Sequence, residues 1–138
     1  MSPADAFDLS LSVAAHLASM AHSRERTIGH VRSDAMGLRD EVTWSAWHLG
    51  IPMRLTSRIA AFERPSRFID EQVRGPFHRF HHEHLFEPIE DGTRMTDIVE
   101  FEAPVGWFGR LAERLVLASY IRHLIEHRNR YLASQSIA

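Results

Sequence analysis

Two histidines, one or two aspartates and a glutamine carry most of the chemistry this chain can offer. The segment Phe77-His78-Arg79-Phe80-His81-His82-Glu83-His84-Leu85-Phe86-Glu87 alternates as a strand does. Its odd positions hold most of the charge and belong toward solvent. Its even positions are His78, Phe80, His82, His84 and Phe86, so two imidazoles lie between two Phe rings on the other side. On the preceding strand Phe68, Asp70 and Gln72 share one face. A three-residue hairpin loop sets these beside Phe80, His82 and His84, whereas a two-residue loop would flip the match.

Asp70, Gln72, His82 and His84 then form a polar cluster in apolar surroundings. Three readings are open. The cluster can orient a ligand carbonyl or hydroxyl. Asp70 can fix a histidine tautomer for general acid–base work. Or the groups bond to one another and stabilise the sheet. An unsatisfied buried polar group costs roughly 1–3 kcal/mol, so four in one region need each other, water or a ligand. His82 and His84 at i and i+2 also share a face as zinc ligands do, with Asp70 or His78 as a third donor. No HExxH or similar motif supports that reading, and no functional metal or cofactor is expected.

Further candidates lie on the flanking strands. Trp44 and Trp47 point to opposite faces of one strand, one toward a pocket and the other toward an edge or partner. Met53 and Leu55 are core or cavity wall. Met95, Asp97, Val99 and Phe101 form the inward face of the last strand, where Asp97 is a second acidic candidate. Leu115 falls on the apolar face of the final helix, and Trp107 with Phe108 opens that helix as a gate or a staple. Arg122, His123, His127, Arg128 and Arg130 make the end of that helix basic, a favourable place for cations.

The elements that must position these residues follow from periodicity and punctuation. Ala4 to Met20 reads as helix in two pieces, with Ser10 or Ser12 as the second cap. Arg24 to Arg32 turns extended, and Ser33 to Asp40 is a loop. Strands follow over Glu41–His48, Pro52–Glu63, Arg67–Arg74, Phe77–Pro88 and Thr93–Glu102, with turns at Arg64-Pro65-Ser66, Gly75-Pro76 and Glu90-Asp91-Gly92. Met53, Leu55, Ser57, Ile59 and Ala61 are expected on one face. After Ala103 the period changes to about 3.6, and Leu111, Leu115, Ala118, Ile121, Leu124, Ile125 and Leu132 trace the apolar side of a long helix. An antiparallel sheet with one long amphipathic helix to cover it is an α+β arrangement, and a pocket between the two is the leading physical expectation.

Composition bounds the rest. A length of 138 residues suits one domain, 1–138. With 18 acidic and 16 basic residues the net charge is -2, which argues against a general nucleic-acid binder. There are no cysteines, which excludes a disulfide framework, a thiolate metal site and a thiol nucleophile. Every basic residue is Arg, which excludes Schiff-base chemistry and a P-loop lysine. No serine sits in a G-x-S-x-G elbow. No targeting segment or membrane span is visible, so a cytoplasmic protein is expected.

The stretch Arg67-Phe68-Ile69-Asp70-Glu71-Gln72-Val73-Arg74-Gly75-Pro76-Phe77, followed by Phe80, His82, Glu83, His84 and Phe86, resembles the START-like helix-grip superfamily, also called SRPBCC. The resemblance is to a small bacterial branch whose central hairpin reads F-x-D-x-Q-x-x-G-P-F and then H-E-H-x-F. Gly92-Thr93-Arg94-Met95 and Pro104-x-Gly106 also fit, and the likeness covers nearly the whole chain. It implies a curved antiparallel sheet wrapped around the C-terminal helix. The family fold begins with a strand before the short helices, and here that strand is expected to be absent. A free sheet edge would follow, which invites a homodimer.

The resulting expectation is a domain that binds a hydrophobic or aromatic small molecule between sheet and helix. Trp44, Met53, Leu55, Phe68, Asp70, Gln72, Phe80, His82, His84, Phe86, Met95, Asp97 and Leu115 would contact it. The alternatives are a polyketide cyclase or dehydratase-type enzyme using Asp70, His82 and His84 as acid–base groups, and a protein-interaction module.

Overall fold

A computed structural model describes residues 1–48, 50–103 and 111–135 (for 111–114 the backbone only). The chain opens with two short helices, α1 (Pro3–Ser10) and α2 (Val13–Ser19). Ser2 caps α1 by accepting the Asp5 amide hydrogen, and Pro3 occupies the first turn, where its missing N–H costs nothing. Ser12 caps α2 through the Ala15 amide. Ser10, the other candidate cap, instead donates back to the Ala6 carbonyl. Asp34 from the following loop bonds both Ser12 Oγ and the Ala14 amide, so the loop is pinned to the start of α2.

Six strands follow: β1 (Arg26–Ile28), β2 (Glu41–His48), β3 (Ile51–Glu63), β4 (Arg67–Arg74), β5 (Arg79–Ile89) and β6 (Gly92–Glu102). They pair antiparallel in the order β1-β2-β3-β4-β5-β6, a meander. The helix α3 (Leu111–Ser134) completes the α+β fold. The expected strand limits at Glu41–His48 and Arg67–Arg74 hold to the residue. The expected Phe77 start of the fifth strand does not: residues 75–78 form bends, and the strand begins at Arg79. The expected extended run from Arg24 to Arg32 shortens to three residues. No described strand precedes α1, and Thr93 Oγ1 donates to the Met1 carbonyl at 2.8 Å, so the chain start lies beside the beginning of β6.

Cross-strand partners show which side chains share the concave face. Trp44 pairs with Leu55, Ala46 with Met53, Asp70 with His82, Phe68 with His84, and His84 with Asp97. A β-bulge after Ile59 corrects one expectation. Ala60 is an extra residue there, so Ala61 pairs with Ile69 on the convex face and Phe62 takes the concave place opposite Phe68. The convex face carries Arg–Glu ion pairs, among them Arg67 to Glu83 at 2.5 Å and Arg58 to Glu71 at 3.4 Å.

The apolar core gathers at one end of the concave face. Phe7 of α1 is wholly buried and meets Phe62, Phe68 and Phe86 edge-on, with centroids 5.2–5.4 Å apart. Val42, Ile59 and Leu11 complete the cluster. A Phe7→Ala variant is expected to lose about 3–5 kcal/mol of unfolding free energy in urea titrations. A loss below about 1 kcal/mol would show that α1 is not the plug of this end.

Candidate functional site

Beside that aromatic core the concave face turns polar. β5 places His82 and His84 inward, as alternation requires, and their rings stack with centroids 3.7 Å apart. His84 also stacks on Phe68 at 4.1 Å. β4 supplies Asp70 on one side of the stacked pair and β6 supplies Asp97 on the other. His84 Nε2 lies 2.6 Å from Asp70 Oδ2, and His82 Nε2 lies 2.8 Å from Asp97 Oδ1. The second nitrogen of each ring faces the opposite carboxylate: His82 Nδ1 is 4.0 Å from Asp70 Oδ2, and His84 Nδ1 is 3.2 Å from Asp97 Oδ1. The last contact lacks hydrogen-bond geometry, which leaves His84 Nδ1 a buried nitrogen without a hydrogen-bond partner.

The final helix closes the cluster. Asn129 Nδ2 donates to Asp97 Oδ2 at 2.5 Å. Arg128 is buried, donating to the Ser10 carbonyl at 3.2 Å and to Asn129 Oδ1 at 3.3 Å. The basic helix end is therefore not uniformly a solvated cation patch, since Arg128 points inward. The signal is present in the spacing. Arg128 is seven residues after Ile121 and four before Leu132, both buried, so it falls on the apolar stripe.

Burial works against ionisation of both carboxyls, and their partners overcome it. For Asp70 the His84 hydrogen bond and the charges of His84, His82 and Arg128 bring the carboxyl down to about 2. For Asp97 burial is likewise the largest influence, but the His82 hydrogen bond and the adjacent His84 imidazole hold it well below the usual carboxylate range. Both aspartates therefore act as acceptors at neutral pH. Burial, and then the neighbouring His84, push the His82 imidazole below its ordinary value. Burial also lowers the Arg128 guanidinium, opposed by Asp97 and Asp70.

Of the expected site residues, Asp70, His82, His84 and Asp97 meet in one cluster, and Phe68 and Phe86 pack beside it. Gln72 shares the face but not the cluster. Its amide donates to the Phe77 carbonyl at 2.7 Å and accepts from the Phe77 amide, which ties down the β4–β5 turn. Trp44, Met53, Leu55, Phe80 and Met95 face inward and are only half-buried. Trp44 Nε1 donates to Ser57 Oγ, while Trp47 is exposed on the other face. Leu115, expected on the pocket wall, is 62% exposed. With Val116, Ser119, Tyr120 and His123 it borders an open groove of about 520 Å³. Tyr120 reaches back to the sheet, its hydroxyl 2.9 Å from His48 Nδ1, a link that sequence patterning misses. His78 is exposed and pairs with Glu102, remote from the cluster as a possible third donor. Trp107 and Phe108 lie outside the described residues.

No protein-family model matches the chain, and no curated protein matches it by sequence. Solved structures do. TTHA0849 from Thermus thermophilus superposes with a TM-score of 0.73 at 18% identity, covering 98% of this chain and 92% of that one. Ara h 8.0201 gives 0.67 at 14% identity over 97% and 91%. Protein CV1439 from Chromobacterium violaceum gives 0.66 at 14% identity over 97% and 88%. The chain has the helix-grip fold, with its curved sheet, two short N-terminal helices and long C-terminal helix. Among the described residues no helix is long and apolar enough to cross a membrane.

The pH dependence of stability follows from the two shifts with opposite chemistry. His82 resists protonation in the folded state, so stability present above about pH 6.5 declines as pH falls below it. Asp70 adds stability that is present above about pH 4 and is lost toward pH 2. His22 and His48, also lowered by burial, act in the same direction as His82. Urea midpoints are therefore expected to fall between pH 7.5 and pH 5, and His82→Gln should flatten that slope in part. A midpoint that rises on acidification would contradict the charge arrangement.

Proposed function

We propose that this protein binds a hydrophobic or aromatic small molecule carrying a polar group, held between the concave sheet face and α3. One observation carries the reading. The concave face is divided into a sealed end and an open end, with the ionised cluster at the boundary. Phe68, Phe86, Val42 and Ile59 are buried under α1, whereas Met53, Leu55 and Phe80 face inward yet keep accessible surface. Apolar groups on the inner side of a covered sheet are normally closed off by packing. Here they stay available, next to carboxylates and imidazoles that can receive a ligand hydroxyl or carbonyl. The open groove along α3 at Leu115, Val116 and Tyr120 supports an approach from that side, where Tyr120 reaches the sheet at His48. The helix-grip fold, shared with the three structures above, is consistent with such an internal site.

The paired Asp–His contacts favour a second reading, acid–base catalysis of the polyketide cyclase or dehydratase type. A carboxylate that orients an imidazole is the arrangement a general base requires. Binding and catalysis are separable, since His84→Gln would abolish turnover while leaving apolar binding in place. We further propose that β6, paired on one side only among the described residues, is where a second copy can add its edge.

Native mass spectrometry of untagged protein, compared with the denatured mass, is expected to show a retained organic mass. Apolar aromatic probes are expected to quench tryptophan fluorescence saturably, with Trp44→Phe reducing the response. Leu55→Asp should weaken binding at least about tenfold, the equivalent of 1.4 kcal/mol. A clean protein mass together with no saturable response across a diverse apolar panel would overturn the proposal.

A further inference from the structure

The two imidazoles and two carboxylates are not arranged as two independent pairs. Each ring turns one nitrogen to Asp97 and the other to Asp70. Asp97 Oδ1 is bonded to His82 Nε2 at 2.8 Å and lies 3.2 Å from the unpartnered His84 Nδ1, and its other oxygen is held by Asn129. Asp70 faces His84 Nε2 at 2.6 Å and His82 Nδ1 at 4.0 Å. His84 Nδ1 is unpartnered beside Asp97, and it can bond that carboxylate only in the tautomer that places its hydrogen on Nδ1. A neutral imidazole has one N–H. When His82 Nε2–H and His84 Nδ1–H both serve Asp97, the bare nitrogens are His82 Nδ1 and His84 Nε2. Both lone pairs then face Asp70, an arrangement that a cation bound between them would favour over the ion-free one, in which His84 Nε2–H bonds Asp70 and Nδ1 is left unpartnered.

We propose that Asp70, His82 and His84 bind a divalent first-row transition-metal ion, with Asp97 and Asn129 orienting the histidine ligands from behind. The three donor atoms lie within 4.8 Å of one another. Ligands of a tetrahedral ion with bonds of about 2.1 Å stand about 3.4 Å apart. The observed 2.6 Å and 4.0 Å separations bracket that spacing, so binding requires a shift of Asp70 together with an opening of the stacked imidazoles that turns both lone pairs to the ion. Asp70 has the room to move: its side chain is 24% accessible, against 8% for His82, 4% for His84 and 10% for Asp97. The opening is thus on the side where the donors converge.

A carboxylate behind each ligating imidazole is the usual support that fixes its tautomer and raises its basicity. The orphaned His84 Nδ1 gains its role in the same way, as the N–H that binds Asp97 while Nε2 holds the metal. Two imidazoles and a carboxylate without thiolate suit zinc, iron(II), cobalt(II) or manganese(II), and three protein donors leave at least one position free for water or a bound ligand.

The test is a titration of untagged, chelator-washed full-length protein with cobalt(II) and zinc(II), read by calorimetry and by cobalt visible absorption. One equivalent is expected to bind, with ligand-field bands of nitrogen and oxygen donors. His82→Gln and His84→Gln should each abolish that binding, and Asp97→Asn should weaken it about 10- to 100-fold. His78→Gln and His81→Gln, which remove imidazoles beside Glu102 and Glu71 on the outer face, should leave it unchanged. If the cluster variants do not fold, long-range proton–nitrogen correlation spectra of the wild-type histidines decide the matter. Zinc must then shift His82 Nδ1 and His84 Nε2. Absence of a one-equivalent site, or binding lost in the surface variants and shifts confined to surface imidazoles, would overturn the proposal.

Discussion

Two ionised carboxylates held out of bulk water constrain everything around them. A buried carboxylate without compensation is among the costliest features a small domain can carry. Asp70 and Asp97 are compensated from three directions. β5 inserts two stacked imidazoles between them, α3 brings Asn129 and Arg128 over the top, and Arg128 is itself tied to the end of α1 through the Ser10 carbonyl. The network thereby sets the pairing of β4, β5 and β6 and the position of the helix along the sheet. A slip of one residue in β5 would replace His82 and His84 with Glu83 and its neighbours, adding negative charge to a site that already holds two carboxylates.

The same network divides the interior. On one side of it the aromatic cluster around Phe7 is closed off from solvent and contributes stability. On the other side the concave face keeps accessible apolar surface below a helix whose Leu115 and Val116 are exposed. A fold that filled both ends with apolar side chains would gain stability and lose any room for a ligand. Function is therefore sought at the boundary, where apolar wall and charged groups meet. That is where the proposed ligand would set its polar end, and where the proposed metal ion would lie.

Much of this is legible from alternation alone. The even positions of the fifth strand share one face by alternation, and the charge on the odd positions turns that face inward; the register that sets Asp70 opposite His82 is fixed by the turn at residues 75–78. Asp97 is readable as an inward acid for the same reason. Ala61 is not, because a bulge adds a residue without a distinctive local signature and reverses every later side chain. Gln72 has the right face for the cluster, yet its amide is consumed by the turn it precedes. Arg128 has the residue type of a helix-end cation, although its spacing from Ile121 and Leu132 marks an inward position.

By itself the sequence determined the element order, the sheet pairing and the residue types open to chemistry, since these depend on local periodicity and on neighbours across short turns. The absence of cysteine and lysine alone narrows those types chiefly to imidazole, carboxylate, carboxamide, hydroxyl and guanidinium groups. Only the tertiary structure decided which polar groups meet. The contact between Asn129 and Asp97 spans 32 residues and that between Arg128 and Ser10 spans 118, distances over which no periodicity carries information. Whether an imidazole serves one carboxylate or stands between two depends on ångström-scale placement of three strands and a helix, and only packing sets it.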